Sequence, residues 1–255
     1  MKKDISKIGA QLFTVREFMK TPRDIAETFK KIRAIGYETV QFSGQPIGDA
    51  SELRKMADDA GIKIVCTHIP YDSFKNNLSK VISDHKILGA THAGLGMMPE
   101  KFRNSEEGAV EFAKEFDAIA REMKAEGLGV TYHNHCMEFA RFGGKTVMEL
   151  LMENSQYFSF MLDTYWVQAG GADVADFIRK HKDRLELVHL KDMCIVGNKQ
   201  AMCEVLEGNL NWNSILNELE SSDVEYAFVE QDICARDPFD CLRTSYENLK
   251  KLLED

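Results

Sequence analysis

The run Leu185-Glu186-Leu187-Val188-His189-Leu190-Lys191-Asp192 is apolar at its core and ends in an imidazole, an ammonium and a carboxylate. Leu185, Val188 and Leu190 mark a buried strand. Side chains alternate along a strand, so His189 and Lys191 share one face. A polar pair in that position needs partners or a task. Three other runs end in the same way: Phe160-Met161-Leu162-Asp163, Ala227-Phe228-Val229-Glu230, and Val130-Thr131-Tyr132-His133-Asn134-His135 with Glu138 just beyond. Glu138, Asp163, His189 and Glu230 together offer three carboxylates and one imidazole. That donor set suits a divalent ion such as Mn²⁺, Co²⁺, Zn²⁺, Mg²⁺ or Fe²⁺. The competing reading is a set of unrelated ion pairs at the rim of a sheet.

The elements that must carry these groups alternate regularly. Strands are predicted at Ile8–Phe13, Glu38–Phe42, Ile62–Thr67, Thr91–Leu95, Val130–His133, Phe158–Leu162, Leu185–Leu190 and Glu225–Glu230. Between them lie helical patterns at 22–35, 50–60, 73–88, 105–126, 145–153, 172–181 and 211–219, with a last one at 238–253. Thr21 with Pro22 opens the first, and Gly36, Gly61, Gly89 and Gly127 stop four of them. In the 105–126 segment Ala109, Phe112, Ala113, Phe116, Ile119, Ala120 and Met123 fall at helical spacing. The strands are continuous apolar runs, as parallel strands covered on both faces are. Eight strand–helix units in 255 residues predict one (β/α)8 barrel spanning 1–255, a fold of about 250 residues. Chemistry would then gather at the C-terminal ends of the strands, where neighbours lie about 4.8 Å apart.

Composition narrows the partners. With 32 basic and 41 acidic residues the net charge is −9, which opposes binding to nucleic-acid phosphates and fits a small-molecule substrate. The six cysteines (Cys66, Cys136, Cys194, Cys203, Cys234 and Cys241) form no CxxC pair and are expected to be reduced, as in a cytoplasmic protein. The basic start Met1-Lys2-Lys3 is not followed by an apolar stretch of signal-peptide length. No run approaches the ~20 apolar residues of a membrane span. There is no GxGxxG loop, Walker motif or serine nucleophile elbow.

Several segments together resemble the xylose isomerase-like barrel family, often called sugar phosphate isomerases/epimerases. They are Ile8-Gly9-Ala10-Gln11-Leu12-Phe13-Thr14-Val15-Arg16, Tyr132-His133-Asn134-His135 with Glu138-Phe139, Leu162-Asp163-Thr164, Val188-His189-Leu190-Lys191-Asp192, Glu207-Gly208, and Val229-Glu230-Gln231-Asp232. The resemblance implies a divalent metal held by Glu, Asp, His and Glu, and barrels of this kind often pair as homodimers. Asp163, His189 and Glu230 match directly. The epimerase branch carries its first glutamate on the fifth strand, where this chain has His133. Glu138 is the nearest glutamate and the favoured first ligand, with His133 its rival. Trp166 stands where that branch has a substrate histidine, and an indole cannot shuttle protons.

Other side chains divide between site and scaffold. His68 at the end of strand three faces substrate in the family, or else bonds a carbonyl in the core. His133 and His135 flank Asn134 on one face and are candidates for substrate contact or base. His92 sits at the weak fourth strand and is an equal candidate for either role, whereas His85 and His181 fall on helices and are expected to be solvated. Gln11 and Gln41 offer amides for hydroxyls, and Trp166 could cover a sugar face. Lys191 could stabilise an enolate or bind an anionic group, or pair with Glu230 or Asp163. Glu207-Gly208 could cover the site or simply turn the chain.

The expected activity is a metal-dependent sugar isomerase or epimerase working by proton transfer through an enediolate. Glu230, with Glu138, His133 or His135, would move the proton. A lyase or dehydratase acting on keto-sugars, of 3-keto-glycoside type, starts with the same abstraction and is the runner-up. A metal-dependent DNA-repair endonuclease, which shares the fold, needs more ligands and a basic face. A non-catalytic sugar-binding barrel ranks last.

Overall fold

A computed structural model describes residues 4–254. Eight parallel strands close into a barrel in sequence order: β1 (Ile8–Gln11), β2 (Thr39–Phe42), β3 (Lys63–His68), β4 (His92–Leu95), β5 (Gly129–His133), β6 (Ser159–Asp163), β7 (Leu185–Leu190) and β8 (Tyr226–Val229). Closure comes from β8 pairing with β1 through Ile8 and Ala227, Gly9 and Phe228, and Ala10 and Val229. The expected single (β/α)8 barrel is the observed fold.

The helices are α1 (Pro22–Ile35), α2 (Ala50–Ala60), α3 (Tyr71–Asn76), α4 (Leu78–Leu88), α5 (Glu106–Ala125), α6 (Val147–Glu153), α7 (Thr164–Ala169), α8 (Val174–His181), α9 (Trp212–Glu220) and α10 (Pro238–Glu254). They begin where the chain supplies oxygen caps. In α1, Thr21 accepts from the Asp24 N–H, and Asp24 accepts in return from the Thr21 N–H. The helix expected over 73–88 is two, broken where Asn77 leaves helical geometry (φ −138°, ψ 35°). The chain after β1 winds into a 3-10 turn at Leu12–Phe18 instead of continuing the strand to Phe13. Two small hairpins lie outside the barrel, Arg141–Phe142 with Lys145–Thr146 and Asp192–Val196 with Lys199–Cys203.

Strand alternation divides the interior into layers. Val65, Cys66, Met161, Leu187, Tyr226 and Phe228 form a separate apolar cluster. The larger cluster, which includes Leu162, Val188, Leu190 and Val229, joins strands to helices. Two residues beyond Met161, Leu187 and Phe228 on the same faces stand Asp163, His189 and Glu230, all buried. An apolar plug thus forms the floor beneath a polar layer at the C-terminal mouth, the end at which barrels of this kind carry chemistry.

His85 departs from its expected solvated state. It is buried, its Nε2 2.8 Å from Thr67 Oγ1 and its Nδ1 donating to the Val81 carbonyl at 2.7 Å. His181 is half-buried against Phe177. Burial pushes the His85 pKa below its ordinary value, only partly offset by the Val81 bond. Unfolding therefore takes up a proton: the neutral ring stabilises the fold above about pH 6.5, and this contribution is lost as the pH falls toward the folded pKa, at up to ~1.4 kcal/mol per pH unit. His85→Gln should reduce the fall in urea midpoint between about pH 7 and pH 5, and an unchanged slope would contradict the assignment.

Candidate metal centre

Asp163 ends β6 and caps α7. Its Oδ1 accepts from the Trp166 N–H at 3.0 Å, which leaves Oδ2 for the barrel mouth. Asn134, buried beside it, accepts from the Asp163 N–H at 2.9 Å and ties β6 to the end of β5. Around Asp163 Oδ2 gather His133 Nε2 at 3.2 Å, Lys191 Nζ at 2.9 Å and His189 Nδ1 at 3.7 Å. Glu230 Oε2 lies 2.9 Å from His189 Nδ1 and 2.8 Å from Lys191 Nζ. One donor atom from each of His133, Asp163, His189 and Glu230 falls within 4.8 Å of all the others.

The orientation of the two imidazoles tests whether this group suits a cation. His133 Nδ1 lies 3.3 Å from the Gly96 carbonyl and His189 Nε2 lies 2.6 Å from Gln41 Oε1. Each ring thus has an acceptor on its far side, Gly96 or Gln41, as well as a carboxylate oxygen on its near side. With the proton on the far nitrogen, the near nitrogen would offer its lone pair to a cation held between ring and carboxylate. Although His189 Nδ1 and Glu230 Oε2 are close, their angles do not make a hydrogen bond, and both are buried without a directional partner. Electron-rich atoms aimed at a common point need a proton or a cation between them. An imidazole whose second nitrogen is tied to an oxygen is also how metal-binding histidines are held. Two imidazoles and two carboxylates fit Mn²⁺, Co²⁺, Zn²⁺ or Fe²⁺.

Lys191 supplies positive charge to the same place. Its side chain is buried and also meets Asp232 Oδ2 at 3.0 Å. Burial opposes ionisation of Asp163 and Glu230, but the Lys191 charge, with the neighbouring imidazoles, outweighs it and holds both carboxyls well below the usual range. Burial likewise opposes the charge on His189, and Glu230 and Asp163 overcome it, raising that pKa. Lys191 is raised too, against its burial, by Asp163, Glu230 and Asp232. Asp232 moves up, through burial and the adjacent Glu230 charge. Burial drives His135 down to about 3, so it is neutral at physiological pH, and sends His68 well below its ordinary value.

Glu138, the favoured first ligand, is not brought to this group. A 3-10 turn at Cys136–Phe139 folds its carboxylate back, so that Oε1 accepts from Tyr132 Oη at 2.5 Å and Oε2 from the His135 N–H at 2.7 Å. Its oxygens serve the turn, and burial raises its pKa. His133, the rival, stands in the group instead. His92 is also elsewhere: as the first residue of β4 it sits at the far end of the strand and bonds Glu186 Oε2 at 3.0 Å. Gln41 reaches the site but acts on His189. Gln11, His68, His135, Glu230 and Asp232 line a cavity of about 550 Å³ above the group. Gln11 Nε2, His68 Nε2 and His135 Nδ1 are buried polar atoms without partners. Gly94 lies against His68, where a Cβ would come 2.6 Å from the ring and from the Thr67 carbonyl. Trp166 lies beside His135, ring centroids 5.4 Å apart, and its ring centroid is 5.6 Å from Lys191 Nζ.

Two further residues matter that sequence reasoning did not assign. Asp232 shares the face of Glu230, a period-two signal that was available. Asp192 organises the connection after β7, its carboxylate accepting from the N–H groups of Met193, Leu206, Gly208 and Leu210 and from the Trp212 indole. Gly208 therefore belongs to this turn, and Glu207 is exposed and held by Asn248 at 3.0 Å.

Calorimetric titration with Mn²⁺ should show His133→Ala losing at least about tenfold in affinity, with Glu138→Gln within about threefold of the parent chain. The reverse ranking would return Glu138 to the ligand set. Lys191→Met leaves two buried carboxylates without their cation, a change of about 3–5 kcal/mol. Its melting temperature should therefore rise more on adding Mn²⁺ than that of the parent chain. An equal or smaller rise would show that the ammonium and the ion do not share these carboxylates.

The xylose isomerase-like TIM barrel family model matches residues 29–252. The chain is 26% identical to the inosose dehydratase of Salmonella typhimurium (strain LT2) over 161 residues, 54% of this chain and 52% of that protein, so it spans about half the length of the curated relatives it matches. Among solved structures, a sugar phosphate isomerase/epimerase from Parabacteroides distasonis superimposes with a TM-score of 0.81 at 24% identity, covering 96% of this chain and 97% of the other. L-ribulose 3-epimerase does so at 0.73 and 16% identity, covering 98% and 95%. With the closed barrel, the family match over most of its length settles the classification: the chain belongs to the xylose isomerase-like TIM barrel family.

Proposed function

We propose that the protein is a divalent-metal-dependent sugar isomerase or epimerase that moves a carbon-bound proton next to a carbonyl. The observation that carries this reading is the buried His133, Asp163, His189 and Glu230 group at the barrel mouth. A cation held there would act as a Lewis acid toward the carbonyl and hydroxyl oxygens of a sugar and make the adjacent C–H more acidic. The chain's own residues supply the rest. Glu230 and His135 both line the cavity, one ionised and one neutral, and either can accept a proton from carbon. Return of the proton to the neighbouring carbon gives isomerisation, and return to the opposite face gives epimerisation. Gln11 Nε2 and His68 Nε2 are placed to receive hydroxyls. Lys191 keeps Asp163 and Glu230 ionised. A net charge of −9 supports a small-molecule partner over nucleic acid.

A second reading, elimination from a keto-sugar, gains support from the withdrawal of Glu138. Reversible transfer between two faces is served well by two like carboxylates. Here a carboxylate, Glu230, works alongside imidazoles, and an unlike pair suits loss of a substituent after proton abstraction. The inosose dehydratase resemblance points the same way.

Incubation of the Mn²⁺- or Co²⁺-loaded protein with keto- and aldo-sugars in D₂O tests both. Deuterium at the carbon next to the carbonyl with the carbon skeleton and substituents intact supports isomerisation or epimerisation. Loss of a substituent, with or without deuterium uptake, supports elimination. Neither exchange nor substituent loss with any such sugar, metal present, would overturn the enolising mechanism.

A further inference from the structure

Strands β5 to β8 lead to the four members of the metal group, and β1 and β2 face it from the other side. Gln11 ends β1 and is paired in register with Gln41 of β2, so the two side chains share a face. Both are fully buried. Gln11 follows Ala10, the partner of Val229, and therefore stands beside Glu230 across the other seam. Gln41 reaches the group directly, its Oε1 lying 2.6 Å from His189 Nε2.

In each amide the oxygen is committed and the nitrogen is not. Gln11 Oε1 accepts from the Phe13 N–H at 3.0 Å. A backbone N–H only donates, so the orientation of this amide is fixed. Gln41 Oε1 takes the His189 Nε2 proton when the opposite ring nitrogen meets a cation. Both Nε2 groups are buried without a partner, and an unpaired buried donor is costly. Any substrate oxygen that meets them must accept, and a hydroxyl does so less strongly than an oxyanion. Proton abstraction creates that oxyanion. The proton passes to Glu230 or His135, and the electron pair of the broken C–H bond forms the new C=C while the carbonyl π pair moves onto oxygen. Charge-assisted hydrogen bonds are roughly twice as strong as neutral ones, so donors placed there favour the enolate over the ketone.

We infer that the paired amides of Gln11 and Gln41 form an oxyanion-binding site, their Nε2 groups donating to the substrate oxygen that gains charge as the enolate forms. The inference rests on the enolising reading and assigns that reading two substrate-contacting donors. Calorimetry with glycolohydroxamate, a small mimic of an enediolate, at saturating Mn²⁺ tests it. Gln11→Met removes the donor without adding charge, whereas Gln11→Glu keeps an acceptor for the Phe13 N–H and replaces the donor alone. Gln41→Glu likewise keeps an oxygen for His189. Each variant should bind the hydroxamate at least about tenfold more weakly than the parent chain. Binding within about threefold of the parent in any of the three overturns the inference: loss in Gln11→Met without loss in Gln11→Glu would assign the effect to the Phe13 turn, and loss in the two Glu variants alone would assign it to the added charge. Hydroxamate binding to the parent chain with no loss in the variants leaves the enolising reading in place. No hydroxamate binding to the Mn²⁺-loaded parent removes both.

Discussion

The buried contact of the Lys191 ammonium with Asp163 and Glu230 is the interaction on which the site depends. Desolvating an ammonium and two carboxylates is costly, and the cost is offset only if opposite charges meet at hydrogen-bond distance. Three strands must deliver them there. β6 supplies Asp163, β7 supplies His189 and, just past its end, Lys191, and β8 leads into Glu230 and Asp232. Parallel pairing fixes the heights, with Asp163 beside His189 and Phe228 beside His189 across the two seams. Alternation then points the polar members inward above the apolar floor.

The same contact sets the chemistry. An ammonium keeps both carboxylates ionised without a proton, so they are available to a cation. Asp232 gives the lysine a third carboxylate beyond the two that would be ligands. The two imidazoles are held by acceptors on their far sides, Gly96 for His133 and Gln41 for His189. Each is thereby oriented by a neighbouring strand or its loop, and the ligand geometry is built into the barrel instead of into mobile loops.

Much of this was legible in the residues. The period-two spacing of His189 and Lys191, and the polar ends of the runs carrying Asp163 and Glu230, placed the site at the strand ends and required a barrel to converge them. Glu138 was harder, because nearness in sequence to β5 does not say which way a carboxylate turns. The turn at Cys136–Phe139 decides it, and the only local signal was a glutamate three residues after His135, the spacing at which a side chain caps its own turn. The burial of His85 is not legible locally, because a helix position does not disclose that Thr67, on a strand eighteen residues earlier, will meet it. His92 stays open between site and scaffold in the sequence, because proximity to a strand does not tell which end of the barrel a residue occupies; as the first residue of β4 it lies at the far end. Asp192 carried no local sign of its task, since its partners run from Met193 to Trp212.

The chemistry of the site turns on whether a divalent ion sits among these side chains. Anomalous diffraction at the manganese edge, from crystals of the Mn²⁺-loaded protein, tests that most directly. The predicted result is one strong peak bonded to His133, Asp163, His189 and Glu230, with Glu138 still on Tyr132 and the His135 N–H. A peak bonded to Glu138, or no peak at this group in protein shown to carry manganese, would contradict it.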